Sequence, residues 1–202
     1  MVDLDNDGDR DLFVACGHLL PNVEEYDDTT LYHAPNLVLM NTGDRFVNVS
    51  ERAGPGLRVR LSSRGAAFDD LDGDGRIDVV ILNSRREPTV LRNVSSRPGH
   101  WIGIRLRGTR TNRDGVGARV IVRAGRLRLV DEVHSGRGYQ SHYGTRLHFG
   151  LGPHTVVDEV EVRWIGGGRD RFRNLPADRV WVLTEGGKPP EPLKVPSARA
   201  SE

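Results

Sequence analysis

From Trp101 onward, apolar and polar residues alternate. The pattern runs through WIGIRLRG (101–108), ARVIVRAG (118–125), RLRLVDEV (126–133), TRLHFGLG (145–152), DEVEVRWIGG (158–167) and DRVWVLTEG (178–186). A period of two is the mark of half-buried strands, and six in succession predict a small antiparallel β-sandwich or barrel-like domain over 98–186. Before Trp101 the apolar runs are shorter: LFVA at 12–15, LVLM at 37–40, RFVNV at 45–49, SSRGAAF at 62–68, VVIL at 79–82 and TVL at 89–91. Each is bounded by Gly, Asn, Asp or Pro, which reads as strands joined by turns. No amphipathic helix of three turns can be placed, so the expected class is all-β. The last stretch, GKPPEPLKVPSARASE at 187–202, carries four prolines and reads as a disordered tail or linker.

The first 97 residues repeat themselves. DLDNDGDRDLFV at 3–14 and DLDGDGRIDVVI at 70–81 superimpose at an offset of 67 residues, aspartates, glycine and following strand included. APNLVLMNTG at 34–43 and EPTVLRN at 87–93 also correspond, each a short strand entered through proline and ended by asparagine. A repeat built from about four short strands suggests propeller blades. Residues 1–97 hold one to two of them, a partial propeller. SSRGAAF leads into the second acidic loop, whereas only Met1 and Val2 precede the first. Unclosed blades expose sheet edges, so the chain is expected to be the C-terminal part of a longer protein.

The repeated loop has the spacing D-x-D-x-D-G-x-x-D. Alternating aspartates can converge on one point when the chain curls, and the glycine allows the tight turn. Calcium takes about six to eight oxygens at roughly 2.3 to 2.6 Å, and this loop can supply them. The expected ligands are Asp3, Asp5, Asp7 and Asp11 in the first loop, and Asp70, Asp72, Asp74 and Asp78 in the second. Asp9 and Arg76 would contribute backbone carbonyls. Without a cation, the carboxylates would raise one another's pKa. About two structural ions are therefore expected, with magnesium a poor second because it demands a tighter octahedral shell. Neither loop has the glutamate at position 12 or the flanking helices of an EF-hand.

Composition changes this picture little. Formal net charge is +1 and no run is long enough to span a membrane. All but two of the 29 basic residues are arginine. They are scattered among acids, as in a bacterial gene of high GC content, and form no clustered nucleic-acid footprint. The single cysteine, Cys16, reads as a core thiol. No signal peptide precedes the aspartates.

The acidic stretches resemble calcium-binding repeats of the FG-GAP/VCBS type. HWIGIRLRGTRTNRDGVGARVIV (100–122), SGRGYQSHYGTRLHFGLG (135–152) and VDEVEVRWIGG (157–167) resemble the ASPIC/UnbV domain. The two occur in this order in the cartilage acidic protein family and its bacterial relatives. The resemblance implies a calcium-binding β-propeller followed by a β-domain, with the same eight aspartates as ligands. It also implies an extracellular or periplasmic full-length protein. Ile165 stands after Trp164 where the family pattern often has proline.

Few other residues suggest chemistry. NRDGVGA at 112–118 lacks the register of a phosphate loop and reads as a two-glycine turn. His134, His142, His148 and His154 lie close in sequence, but no hydrolase or zinc motif accompanies them, and no catalytic residue is assigned; His142 and Tyr143 are the pair to inspect. Trp101, Trp164 and Trp181 read as packing residues. The sequons at Asn48 and Asn93 read as incidental. The expected function is non-enzymatic: a calcium-stabilised binding, adhesion or assembly module with a protein or carbohydrate ligand and no nucleic acid. The alternative is an enzyme with a polar pocket between the two domains.

Overall fold

The computed structural model describes residues 1–96, 98–139 and 141–193. Its regular structure is β, apart from 3-10 turns at Val23–Glu25 and Pro55–Arg58. The strands of the first half are β1 (Leu12–Val14), β2 (Ala34–Pro35), β3 (Leu37–Asn41), β4 (Phe46–Asn48), β5 (Arg60–Leu61), β6 (Ser63–Asp69), β7 (Asp78–Asn83) and β8 (Thr89–Leu91). They form the three-stranded sheets β1-β3-β4 and β6-β7-β8, plus the small pair β2-β5. The repeat is visible in space: β1 starts just after the closing aspartate Asp11 and β7 at Asp78, and each runs antiparallel to a later strand, β3 or β8. On its other edge β7 pairs with β6, ending at Asp69 opposite Asp78. The corresponding pairing in the first repeat is one bridge, Val2 opposite Asp11.

The second half contains β9 (His100–Arg107), β10 (Arg119–Ala124), β11 (Leu127–Glu132), β12 (Leu147–Gly152), β13 (Val156–Arg163), β14 (Arg169–Pro176), β15 (Arg179–Thr184) and β16 (Glu191–Pro192). Two four-stranded sheets, β11-β10-β13-β14 and β12-β9-β15-β16, share one core. Alternate residues supply it: Ile102, Ile104 and Leu106 from β9, Val120 and Val122 from β10, Val160 and Val162 from β13. Trp164 and Trp181 lie in this core as expected. The sheets form a sandwich, and neither closes into a barrel.

Three expectations need correction. The sandwich is not wholly antiparallel, because β15 runs parallel to β9 from Arg179 opposite Ile102 to Thr184 opposite Arg107. β15 arrives from the other sheet, so no hairpin constrains its direction. The expected tail begins as sheet: Glu191 and Pro192 pair with Val182 and Trp181, while residues 194–202 lie outside the described residues. Cys16 is half-buried beside β1, not a core thiol, and its N–H donates to Asn36 Oδ1 at 2.8 Å.

The outward faces of the sandwich differ. On the sheet containing β9 and β12, the outward positions are Trp101, Gly103, His148 and Gly150, with His148 opposite Gly103 and Gly150 opposite Trp101. On the other sheet, alternation turns Arg119 and Arg123, Glu159, Glu161 and Arg163, and Arg169, Arg171 and Arg173 outward. Six of the arginines that look scattered in sequence are thus collected on one face. Among the described residues, no helix is long and apolar enough to cross a membrane.

Candidate metal centres

Each acidic loop curls around its own aspartates, held by backbone amides. In the first, Gly8 N–H donates to Asp3 Oδ2 at 3.0 Å, Leu4 N–H to Asp11 Oδ2 at 2.8 Å and Asp9 N–H to Asp7 Oδ1 at 2.8 Å. In the second, Gly75 N–H donates to Asp70 Oδ2 at 3.0 Å, Leu71 N–H to Asp78 Oδ2 at 3.2 Å and Arg76 N–H to Asp74 Oδ1 at 3.0 Å. The three bonds correspond one for one at the 67-residue offset. Positive φ at Gly8 and Gly75, 100° and 85°, permits both turns.

The geometry gathers a subset of the expected ligands. Asp3, Asp5 and Asp11 each present a carboxylate oxygen within 4.8 Å of the other two, and so do Asp70, Asp72 and Asp78. These two groups could hold metal ions. The third alternating aspartate, Asp7 or Asp74, caps the amide two residues on. Asp74 is further engaged by the side chains of Arg76 and Arg92. Asp9 is exposed.

Two oxygens carry most of the weight. Asp3 Oδ1 and Asp5 Oδ1 are buried and accept no hydrogen bond. A buried, unpaired carboxylate oxygen is costly. Burial, with the neighbouring aspartates adding to it, pushes Asp3 up to about 7. Burial likewise moves Asp11 to about 6 and raises Asp5 and Asp70. An all-oxygen, anionic donor set with oxygens lacking a partner fits a hard cation.

Sequence reasoning missed the asparagines that latch these loops. Asn41, ending β3, donates its backbone N–H to Asp11 Oδ1 at 2.8 Å and its side chain to Arg10 O at 3.3 Å. Asn93, after β8, does the same to Asp78 Oδ1 at 2.7 Å and Ile77 O at 3.3 Å. The strand-ending asparagines, noted only as turn residues, were the available signal. The Asn93 side chain also reaches Leu4 O of the first loop at 2.7 Å.

Both loops rest on the sandwich. Asn6, at φ 60°, donates its side-chain amide to Gly75 O at 2.9 Å and meets His148 Nε2 through Oδ1 at 2.7 Å. His148 stacks on Trp101, with ring centroids 5.4 Å apart. Burial pushes its imidazole down to about 3, with Arg146 contributing. His148 is therefore a neutral strut. Glycines make the close approach possible. A Cβ on Gly150 would lie 2.1 Å from Asp3 Oδ2, and one on Gly75 1.9 Å from Trp101 Nε1. His142 is exposed, and Tyr143 packs edge-on against Phe68.

A polar cavity of about 50 Å³ does lie at the junction, lined by Asp69, Arg146, Asp131, Arg10, Arg137 and Tyr143 among others. Five of its charged groups are paired with one another, Arg146 with Asp69, and Arg10 and Arg137 with Asp131, and Asp3 and His148 line it as well. It has room for a water or two. Glu185 makes the other conspicuous polar contact. Its Oε2 accepts N–H bonds from Thr109, Arg110 and Thr111 at 2.8 to 2.9 Å. The amides of Arg110 and Thr111, then Thr109, hold this carboxyl down at about 2.

Two family models match separate stretches of the chain. Residues 3–81 match the FG-GAP-like repeat, and residues 108–190 match ASPIC and UnbV. Over 170 residues the chain is 29% identical to cartilage acidic protein 1 of Xenopus tropicalis, covering 78% of this chain and 23% of that protein. Over 175 residues it is 27% identical to the Mus musculus and Homo sapiens proteins of the same name. Those matches cover 82% of this chain and 25% and 24% of the relatives. The chain thus spans about a quarter of the length of these relatives. A candidate cell adhesion protein from Bacteroides ovatus aligns over 96% of this chain and 89% of its own, but at 11% identity and a TM-score of 0.27 it carries no argument. The chain carries an FG-GAP-like repeat region followed by an ASPIC and UnbV domain, and is related in sequence to cartilage acidic protein 1.

Proposed function

We propose that this chain is a calcium-stabilised, non-catalytic binding or adhesion module of an extracellular protein. Residues 1–97 form its repeat domain and 98–186 its β-domain. One observation carries the calcium assignment: Asp3 Oδ1 and Asp5 Oδ1 are buried without a partner, in a loop whose hydrogen-bond frame recurs 67 residues later. The primary ligands are Asp3, Asp5 and Asp11, and Asp70, Asp72 and Asp78. Asp7, Asp74 and the carbonyls of Asp9 and Arg76 complete the shells after small turns of the loop.

The cation supplies positive charge to carboxylates that otherwise repel, so its binding free energy adds to that of folding. The chain's own residues do the rest. Backbone amides aim the carboxylates, Asn41 and Asn93 fix the closing aspartates, and Asn6 with His148 joins the loops to the sandwich. The enzymatic alternative rests on the junction cavity, which has room for only a water or two.

The test is thermal unfolding of the 202-residue chain in calcium and in excess chelator, with bound calcium counted at equilibrium. About two ions per chain and a large calcium-dependent rise in midpoint are expected. Cooperative unfolding indifferent to calcium would overturn the assignment.

A further inference from the structure

We propose that the outward face of the β11-β10-β13-β14 sheet binds a sulfated polysaccharide. The face is built by strict alternation. β10 places Val120 and Val122 in the core and turns Arg119 and Arg123 outward; β13 buries Val160 and Val162 and presents Glu159, Glu161 and Arg163. β14 adds Arg169, Arg171 and Arg173, opposite Arg163, Glu161 and Glu159. β11 adds Arg128 opposite Arg123 and Glu132 opposite Arg119. Seven arginines thus meet three glutamates, a formal excess of four positive charges. The whole chain carries +1, so the rest of the molecule is net negative.

The glutamates work as struts beneath the arginines. Glu161 and Glu159 side chains are only 3% and 19% exposed. Glu161 accepts from Arg163 Nε at 2.6 Å and Arg171 Nη2 at 3.1 Å. Glu159 accepts from Arg123 Nη1 at 3.2 Å and Arg173 Nε at 3.2 Å. Two carboxylates therefore orient four guanidiniums, whose side chains stay 37% to 67% exposed. Arg119, Arg128 and Arg169 are exposed and have no ion pair among the described residues.

An oriented guanidinium binds an oxyanion bidentately. Along β14 the forks repeat about every 7 Å, on β10 Arg119 and Arg123 stand about 13 Å apart with the buried Ile121 between them, and neighbouring strands are about 5 Å apart; the array suits a chain of closely spaced sulfates. The outward positions carry no aromatic side chain on which nucleic-acid bases could stack. The first acidic loop touches this sheet at its β11 edge, through Arg10 at Asp131 and Val130 O, and no bound cation enters the argument.

The test uses the full chain on immobilised heparin, with apparent affinity followed against salt. Wild type should be retained at physiological ionic strength, with log affinity linear in log salt. Replacing the three unpaired arginines together (R119S, R128S, R169S) should reduce that slope by about two to three and lower affinity at least tenfold. A control triple on the repeat half (R52S, R60S, R86S) makes the same change in net charge and should leave the slope intact. Near-ultraviolet circular dichroism verifies folding. If the first triple fails to fold, R169S alone carries the test, with a slope decrease of about one. Failure of wild type to bind, equal loss in both triples, or tighter binding to duplex DNA than to heparin would each overturn the proposal.

Discussion

At the scale of single residues, the first acidic loop makes a pH prediction of definite sign. Burial raises the folded pKa of Asp3 to about 7 from an ordinary value of 3.8. Between those values the metal-free folded state holds more protons than the unfolded chain, so stability falls as pH rises from about 4 to about 7. Calcium reverses the dependence, because protons then compete with the ion for the carboxylate. Asp3→Asn should therefore raise the melting midpoint at pH 7.5 in chelator and lower it in calcium. A midpoint reduced under both conditions would show that Asp3 serves packing alone. Gly150→Ala forces a methyl onto the Asp3 carboxylate and the Asn6 backbone. It should cost about 1–3 kcal/mol in urea unfolding and weaken calcium binding at the first site. Asn93→Ala removes side-chain bonds to Leu4 O and Ile77 O and should cost about 1–2 kcal/mol. Asn93 is also the second sequon asparagine, and Ser95 Oγ donates to its Oδ1 at 2.6 Å; that side chain is already occupied.

At the scale of elements, the sandwich depends on a core that alternation builds and on a turn that one carboxylate closes. Ile104→Ala, at a fully buried position facing both sheets, should lower stability by about 2–5 kcal/mol. Glu185 directly follows β15 and satisfies three successive amides of the turn after β9. Its folded pKa, held near 2, lies below the ordinary 4.5. The stability it contributes is complete above about pH 4.5 and disappears as pH falls toward 2. Glu185→Gln should lower the urea midpoint at neutral pH and flatten that acid limb. The strand pattern was legible for all six alternating segments, RLRLVDEV at a sheet edge included, because each carries several β-branched or aliphatic residues at inward positions. β14 was not. RDRFRNLP offers only Phe172 and Leu175 to the core, and the left-handed Asn174 interrupts its period.

At the scale of the whole molecule, the acidic loops and the sandwich should respond together. Trp101 lies against Gly75 of the second loop and stacks on His148, which holds Asn6 of the first. Trp164 and Trp181 are buried in the sandwich core. Calcium should therefore change tryptophan emission, and Trp101→Phe should abolish most of that change while leaving the number of bound ions unaltered. A full-sized change remaining in the variant would mean that the loops act without the sandwich.

Sequence alone determined the all-β class, the repeat, the acidic loops and the alternation of the second half. These are local properties: spacing, turn chemistry and periodicity act within a dozen residues. Tertiary structure decided what depends on distant partners. It brought three aspartates together in each loop, paired β15 parallel to β9, and set the first acidic loop against Gly150 of β12. It also drew arginines from four strands onto one surface. No linear pattern could have revealed that surface, because its neighbours are set by sheet order and register across more than fifty residues of chain.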